Sequence, residues 1–291
     1  MPAKNLKWTY LVVLALVWGS SFILIKRGLL GLGPIQLGAL RIVLAALFLI
    51  VVGFRTLPTI PRHQWKYIAL TSMFGTFIPA FLFSIAQTEM SSTVSSILNS
   101  LTPVNTLLLG IVIFKAGVRR QQLIGVLTGL AGSALLILSG ALSHPEQNYW
   151  YAVLLLIASL CYAANVNLIK KYLSDISPLA IVTGNFAVML LPALLILVLS
   201  GYFGVIAVEE VQFSSLYVLA LAVVGTGCAN IIFFRLIHMS SPVFATSVTY
   251  LIPVVAFFWG MFDGEMLTAV QFLGAGIIMF GVYLSGRNTA G

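Results

Sequence analysis

The chain has 291 residues, of which 60% are hydrophobic and only 8% are charged, and its mean hydropathy is +1.08. Soluble domains carry about 25% charged residues, so this composition excludes a water-soluble protein. The net charge of +8 does not indicate nucleic-acid binding, because the basic residues lie mostly between apolar runs instead of forming one basic face.

The first apolar run, 8–26, follows a short basic N-terminus. This run is longer than the apolar region of a signal peptide and lacks a small-residue cleavage site at its end, so we expect a retained membrane helix. Further runs of about 20 apolar residues follow, each long enough to cross a bilayer. The ten runs are 8–26, 34–53, 66–87, 91–114, 121–141, 149–170, 178–200, 214–235, 242–262 and 268–285. We therefore predict an all-α integral membrane protein with ten transmembrane helices.

The distribution of charge predicts the orientation of these helices. With the N-terminus in the cytoplasm, twelve of the fifteen Lys and Arg residues lie at cytoplasmic segments, and the exceptions are Lys26, Arg27 and Arg41. Of the seven acidic residues, only Asp175 lies on that side. Because cytoplasmic loops are enriched in Lys and Arg, we expect both termini to be cytoplasmic.

The two halves of the sequence resemble each other. The segment LNSLTPVNTLLLG (98–110) aligns with VTYLIPVVAFFWG (248–260) at an offset of 150, which places Pro103 on Pro253. Two further pairs align in the same order, namely 75–83 with 225–233 at the same offset and 25–34 with 169–178 at an offset of 144. An ordered series of matches of this kind indicates an internal repeat.

Each half contains five predicted spans, and an odd number makes the second copy enter the membrane from the opposite side. We therefore predict two inverted five-helix repeats, 1–143 and 144–291, within a single membrane domain. Inverted repeats are typical of secondary transporters, whose substrate sites lie near the midplane between the repeats.

In several short motifs and in its two-times-five organisation, the sequence resembles the EamA-type transporters of the drug/metabolite transporter superfamily. The resemblance rests on VWGSSFILIK (17–26), Pro34 with Arg41, LTP (101–103), LIP (251–253) and Gly264-Glu265. It implies a ten-helix carrier with a central cavity, usually an exporter of small metabolites such as amino acids. We accordingly expect a multi-pass protein of the cytoplasmic (inner) membrane of a bacterium.

Arg41 lies seven residues beyond Pro34, about 10 Å along a helix, and therefore inside the second span. A charge at this depth is costly and usually faces a cavity or a partner. One interpretation is a ligand for a substrate carboxylate or phosphate, because a guanidinium forms bidentate hydrogen bonds. The other is a structural cation that extends outward or bonds carbonyls at a helix end.

Other polar and aromatic residues in the spans are candidates for the cavity wall. Trp18 and Ser21 form a polar notch in the first span, and their repeat counterparts are Tyr162 and Asn165; hydrogen bonding between helices is the alternative role. The remaining predicted lining residues are Phe83, Asn99, Thr102, Asn230, Phe233 and Tyr250. Irregular backbone at membrane depth is tolerated beside a cavity, so we predict helix bends at Pro79, Pro103 and Pro253.

The residue types in the spans also limit the function. No Asp or Glu lies deep in any predicted span, which disfavours the alternative of a proton-coupled multidrug efflux carrier. No catalytic or metal-binding motif is present, so we expect no enzyme activity, cofactor or metal. The Gly125-x₃-Gly129 motif indicates close helix packing or a dimer face. We predict an exporter of neutral, zwitterionic or anionic solutes that works by alternating access, as a monomer or homodimer whose partners are a small-molecule substrate and the lipid bilayer.

Overall fold

The computed structural model describes residues 3–90, 92–141, 149–262 and 269–286, and within these ranges the regular structure is helical. The first half contains α1 (Ala3–Gly28), α2 (Pro34–Gly53), α3 (Trp65–Ser72), α4 (Ile78–Ala86), α5 (Ser92–Asn99), α6 (Thr102–Val112) and α7 (Arg120–Ala141). The second half contains α8 (Ala152–Tyr172), α9 (Pro178–Leu199), α10 (Tyr202–Val205), α11 (Glu209–Ala220), α12 (Ala229–Met239), α13 (Pro242–Thr246), α14 (Val248–Phe262) and α15 (Ala269–Gly286). The predicted boundary at 143/144 and the Gly264-Glu265 motif lie outside the described residues.

Six helical segments in these ranges are long and apolar enough to cross a membrane. They are Leu6–Gly28, Pro34–Thr59, Arg62–Ala86, Ala152–Tyr172, Pro178–Leu199 and Glu209–Met239. Many of their large apolar side chains face outward; Val51, for example, is 77% exposed and Leu199 is 76% exposed. An apolar outer surface of this kind suits a lipid environment, so the all-helical membrane class is confirmed. The other four predicted runs fall on α5–α6, α7, α13–α14 and α15, and the count of ten spans stays a prediction.

Several helices begin at a proline, and the residue before that proline has an extended backbone. Pro178 and Pro242 occupy the first turns of α9 and α13. The preceding side chains, Ser177 and Ser241, cap these helices by accepting hydrogen bonds from the backbone N–H groups of Ala180 and Phe244. Proline at the first helical position and serine at the cap are the residues that favour a helix start.

Two π-helical turns interrupt the helices that lie at equivalent positions of the two halves. Met73–Phe77 separates α3 from α4, and Leu221–Cys228 separates α11 from α12. An offset of 150 places the first turn within the second. The predicted bend at Pro79 lies just after the first of these turns, in the first turn of α4. Such insertions in a helix are frequent at functional sites.

The predicted bends at Pro103 and Pro253 differ in the structure. A break at Ser100–Leu101 separates α5 from α6, and Pro103 lies in the first turn of α6. Pro253, in contrast, lies inside α14, and the break in this half comes earlier, at Ser247 between α13 and α14. The hydroxyl of Ser247 donates to the Phe244 carbonyl, a local bond that competes with the helical pattern.

Glycines allow α7 and α15 to pack with their backbones in contact. A Cβ added at Gly125 would lie 2.6 Å from the Ser285 nitrogen, and one added at Gly281 would lie 2.5 Å from the Gly129 nitrogen. Small residues at such crossings permit close approach of helices in membranes. This contact joins the last helix of the first half to the last helix of the second.

Candidate functional site

A cavity lies between the two halves, bounded by α1, α2, the two π-helical turns with α4 and α12, α5–α6, α8 and α13–α14. It contains about 860 Å³ of space free of protein atoms, including its opening to solvent. Ten of the eleven predicted lining residues border it, namely Trp18, Ser21, Arg41, Phe83, Asn99, Thr102, Tyr162, Asn165, Asn230 and Phe233. Their role in substrate binding stays a prediction.

The wall of the cavity is built from equivalent positions of the two halves. Of the 21 residues that line it, eighteen form nine pairs at the offsets of 144 and 150 found in the sequence. The pairs are Trp18 with Tyr162, Ser21 with Asn165, Phe22 with Val166, Gly75 with Gly225, Thr76 with Thr226, Ala80 with Asn230, Phe83 with Phe233, Asn99 with Thr249, and Thr102 with Ile252. Within the described lining, only Ile25, Arg41 and Thr246 have no such counterpart.

Arg41 is held by the second π-helical turn. Its Nε donates a hydrogen bond of 2.8 Å to the Thr226 hydroxyl, and that hydroxyl donates at 3.1 Å to the carbonyl of Leu221. Among the described lining residues, Arg41 is the only charged side chain. The guanidinium therefore borders the cavity and bonds a threonine, instead of extending outward or bonding carbonyls at a helix end.

Aromatic rings form two connected groups on the wall. Trp18 contacts Phe233 edge to face with ring centroids 4.9 Å apart, and its indole Nε1 donates to the Gly225 carbonyl at 2.9 Å. Phe83 lies 6.0 Å from both Phe22 and Tyr162. The cavity thus offers extended apolar surface beside a small number of polar groups, which is the usual composition of a site for a small organic molecule.

Four amide side chains on or near the cavity wall differ in how many hydrogen bonds the protein provides for them. Asn99 accepts a weak hydrogen bond of 3.3 Å at its Oδ1 from the Thr102 hydroxyl. In the described part of the chain, Asn165 Oδ1 is buried without a hydrogen-bond partner, and no hydrogen bond to the Asn230 side chain is found. In contrast, Asn167 donates to the carbonyls of Thr106 and Ala163 and joins α8 to α6. Asn167 is therefore a packing residue, and the other three amides border the cavity.

The structure places Tyr250 away from the cavity, contrary to expectation. Its side chain is 1% exposed, its hydroxyl donates to the Val126 carbonyl at 3.0 Å, and its ring lies against Gly129 of α7. Because Gly129 has no side chain, the ring fills the space over α7 and the hydroxyl finds its partner there. The neighbouring Thr249 borders the cavity instead.

Sequence reasoning missed several lining residues, among them Phe22, Thr76, Thr226 and Thr249. The repeat contained the signal for Thr249, because an offset of 150 places it on Asn99. The same offset pairs Thr76 with Thr226. Treating the partner of each predicted residue as a candidate would have found Thr249, whereas the role of Thr226 depends on the π-helical turn that the sequence does not reveal.

A cavity lined by paired positions from two related halves of an apolar helical protein is typical of secondary transporters. The chain belongs to the EamA-like transporter family, which matches residues 6–138 and again residues 149–287. This membership confirms the resemblance found in the sequence.

Similar proteins cover nearly the whole chain. The "Uncharacterized inner membrane transporter YedA" of Escherichia coli K12 is 28% identical over 283 residues, covering 94% of this chain and 88% of that protein. The "Probable amino-acid metabolite efflux pump" of Salmonella typhimurium is 28% identical over 284 residues, covering 94% and 92%. A solved structure titled "Crystal structure of protein" has a TM-score of 0.71 at 17% identity, covers 98% of both chains, and is similar in fold. The chain is thus a multi-pass transporter of the bacterial inner membrane.

Proposed function

We propose that the protein is a secondary transporter that exports small metabolites, such as amino acids or related neutral, zwitterionic or anionic solutes, by alternating access. The chain would form ten transmembrane helices in two inverted five-helix repeats, 1–143 and 144–291, with both termini in the cytoplasm. The observation that carries the proposal is the nine pairs of equivalent residues around one cavity. The two separate family matches, 6–138 and 149–287, support the same division.

The substrate would bind in this cavity, between the halves. Repeats related by an axis in the membrane plane can exchange their conformations, so that the same site opens first to one side and then to the other. The π-helical turns at Met73–Phe77 and Leu221–Cys228 border the cavity through Gly75, Thr76, Gly225 and Thr226, and would serve as the hinges of this exchange.

The exported solute is inferred from the cavity and from relatives. The name of the Salmonella relative gives amino-acid metabolites as the cargo of that protein. In this chain, aromatic rings would contact the carbon skeleton of such a solute, and the amides of Asn99, Asn165 and Asn230 would bond its polar groups. No carboxylate is among the described lining residues, so a proton-coupled exchange for a cationic drug has no group to carry it.

Transport by the purified, reconstituted protein tests the proposal. Proteoliposomes are loaded with each of the twenty common amino acids in labelled form. They are expected to release at least one amino acid faster than vesicles that carry the same load but no protein. Asn230→Ala should raise the KM by about two- to tenfold, the worth of one neutral hydrogen bond. Asn105→Ala is the matched control, because Asn105 bonds Ser159 and does not border the cavity. A folded protein that moves none of these solutes, or related acids and amides, would refute the proposal.

A further inference from the structure

The guanidinium of Arg41 has one edge occupied by the protein and one edge available. Nε bonds the Thr226 hydroxyl, and within the described residues the terminal nitrogens form no hydrogen bond or ion pair. Those two nitrogens form the planar fork that matches the two oxygens of a carboxylate. The bond to Thr226 fixes the plane of this fork, which lowers the entropy lost when an anion binds.

Thr226 has a fixed hydrogen-bonding direction. Its only hydroxyl hydrogen is donated to the Leu221 carbonyl, so towards Arg41 it acts as an acceptor. The Leu221 carbonyl lies at the start of the π-helical turn Leu221–Cys228, whose wider hydrogen-bonding pattern brings it within reach of the hydroxyl five residues later. The turn therefore supplies the acceptor that orients Thr226, and Thr226 in turn orients Arg41.

Asn230 lies four residues beyond Thr226, on the same face of the same helical segment, and also borders the cavity. No hydrogen bond to its side chain is found in the described part of the chain. Its amide has two donors and one acceptor, and it can bond either a carboxylate oxygen or a neighbouring group of the solute.

The balance of charge selects among anions. One guanidinium without a carboxylate partner on the described wall is neutralised by one negative charge. A singly anionic solute supplies that charge, and a zwitterion places its carboxylate on the guanidinium and leaves only the +1 of its own ammonium group. A phosphate dianion leaves a net charge of −1, and a cationic solute leaves +2. Net charge in a low-dielectric cavity is costly, so the empty site favours a single carboxylate.

We infer that Arg41, Thr226 and Asn230 form a carboxylate-binding subsite, and that the protein selects solutes with one carboxylate group, either zwitterionic or singly anionic. This inference rests on the proposed function, because it names the chemical class that the proposed carrier moves. Arg41 and Asn230 would contact the carboxylate, and Thr226 would position the guanidinium.

Two panels of matched compounds test the subsite, namely the twenty common amino acids and the same amino acids as primary amides, which lack the carboxylate. Each panel is measured in two ways: as competitor of amino-acid flux into proteoliposomes, and by its effect on the thermal stability of the detergent-solubilised protein. A ligand that binds the folded state raises the apparent melting temperature. Inorganic phosphate is included to separate carboxylate binding from general anion binding.

The variants are Arg41→Gln, Arg41→Lys and Thr226→Val. The control is Arg27→Gln, which removes an exposed cation outside the cavity. The wild-type protein should favour at least one amino acid over its amide by tenfold or more and respond weakly to phosphate. Arg41→Gln should remove this preference, Arg41→Lys should keep part of it because the charge remains, and Arg27→Gln should keep it fully. Thr226→Val should weaken amino-acid binding without making amides better ligands.

The outcomes distinguish a failure of the carboxylate subsite from a failure of the proposed carrier function. Amides as effective as amino acids, phosphate preferred to carboxylates, or an unchanged preference in Arg41→Gln would overturn the subsite while the carrier function stands. If amino acids stabilise the wild-type protein but not Arg41→Gln, and no solute is transported, then the subsite stands and the carrier function fails. Melting curves of the unliganded variants identify any loss caused by misfolding, and Arg41→Lys gives the decisive comparison if Arg41→Gln does not fold.

Discussion

Trp18 and Gly225 are 207 positions apart in the sequence and are joined by a hydrogen bond of 2.9 Å from the indole Nε1 to the backbone carbonyl. The acceptor lies in the second π-helical turn, at the cavity wall. This bond links the first helix to the hinge proposed for the other half. It therefore serves both the stability of the fold and the geometry of the site.

Trp18→Phe is expected to lower the free energy of unfolding by about 1–3 kcal/mol, because the Gly225 carbonyl loses its side-chain donor. A smaller ring at this position keeps part of the edge-to-face contact with Phe233. Thermal unfolding of the purified protein in detergent measures the change. Trp65→Phe is the matched control, because in the described part of the chain the Trp65 indole makes no hydrogen bond. Equal melting temperatures for Trp18→Phe and the wild-type protein would show that the bond contributes nothing to stability.

Gly125→Ala is expected to separate α7 from α15. The added Cβ would lie 2.6 Å from the Ser285 nitrogen and 2.7 Å from the Gly281 carbonyl oxygen, both backbone atoms that cannot rotate away. Overpacking of this kind typically costs about 1–3 kcal/mol. Gly276→Ala on α15 is the control, because a Cβ at Gly276 meets no atom within 4 Å. Melting temperatures of the two variants give the test, and a Gly125→Ala protein as stable as Gly276→Ala would contradict the close contact.

Tyr250→Phe is expected to reduce stability without changing solute binding. The variant loses the hydrogen bond from the hydroxyl to the Val126 carbonyl, worth about 0.5–1.5 kcal/mol, and keeps the ring against Gly129. Thr249→Val should instead weaken solute binding with little change in stability, because Thr249 borders the cavity. The measurements are thermal unfolding and the KM of reconstituted transport. A higher KM for Tyr250→Phe at unchanged stability would place the tyrosine in the site after all.

The sequence predicted the helical class and ten of the 21 residues that line the cavity, and the reason is physical. Polar and aromatic side chains within an apolar span need partners or water, so Trp18, Asn99 and Asn165 could be identified without coordinates. The alignment of the two halves supplied further candidates, because it makes Tyr162 the counterpart of Trp18. Ten of the predicted lining residues accordingly border one cavity.

What the sequence could not provide is the local path of the backbone. A π-helical turn differs from an α-helix by one residue per turn, and neither Met73–Phe77 nor Leu221–Cys228 has a composition that distinguishes it. Tyr250 and Thr249 are adjacent, and a rotation of the helix by one residue decides which of them borders the cavity. The break at Ser247 sets this rotation, and the sequence pointed to Pro253 instead.

The two ends of the protein differ in their aromatic contacts. Tyr67 and Tyr172 stack with centroids 4.2 Å apart and an interplanar angle of 4°, joining α3 of the first half to α8 of the second. At the repeat offsets their counterparts are Tyr217 and Gly28, which cannot form a second stack because glycine has no ring. With the proposed orientation, the stack lies at the cytoplasmic end of the carrier, where we expect it to hold the two halves together.

Tyr67→Ala is therefore expected to shift the protein towards the cytoplasm-open state by about 0.5–1.5 kcal/mol, or roughly two- to twelvefold. Tyr217→Ala, the counterpart at the other end, should not shift it in that direction. The readout is the rate at which a cysteine in Asn230→Cys reacts with a membrane-impermeant maleimide added from the cytoplasmic side, with Cys161 and Cys228 replaced by serine. Equal reaction rates for Tyr67→Ala and Tyr217→Ala would contradict a role of the Tyr67–Tyr172 stack in keeping the cytoplasmic end closed.

The unpaired charge of Arg41 also predicts how the carrier cycles. In the empty protein the guanidinium has no anionic partner among the described lining residues, and closing the cavity around it removes water from a free charge. A bound carboxylate pairs with the guanidinium and replaces the water that this group loses on closure, so the loaded carrier should change conformation faster than the empty one. Release of a labelled amino acid from proteoliposomes is therefore expected to accelerate several-fold when unlabelled amino acid is present outside. In Arg41→Gln this acceleration should disappear because the empty cavity is neutral, and an equal acceleration in Arg41→Gln and in the wild-type protein would exclude Arg41 as its cause.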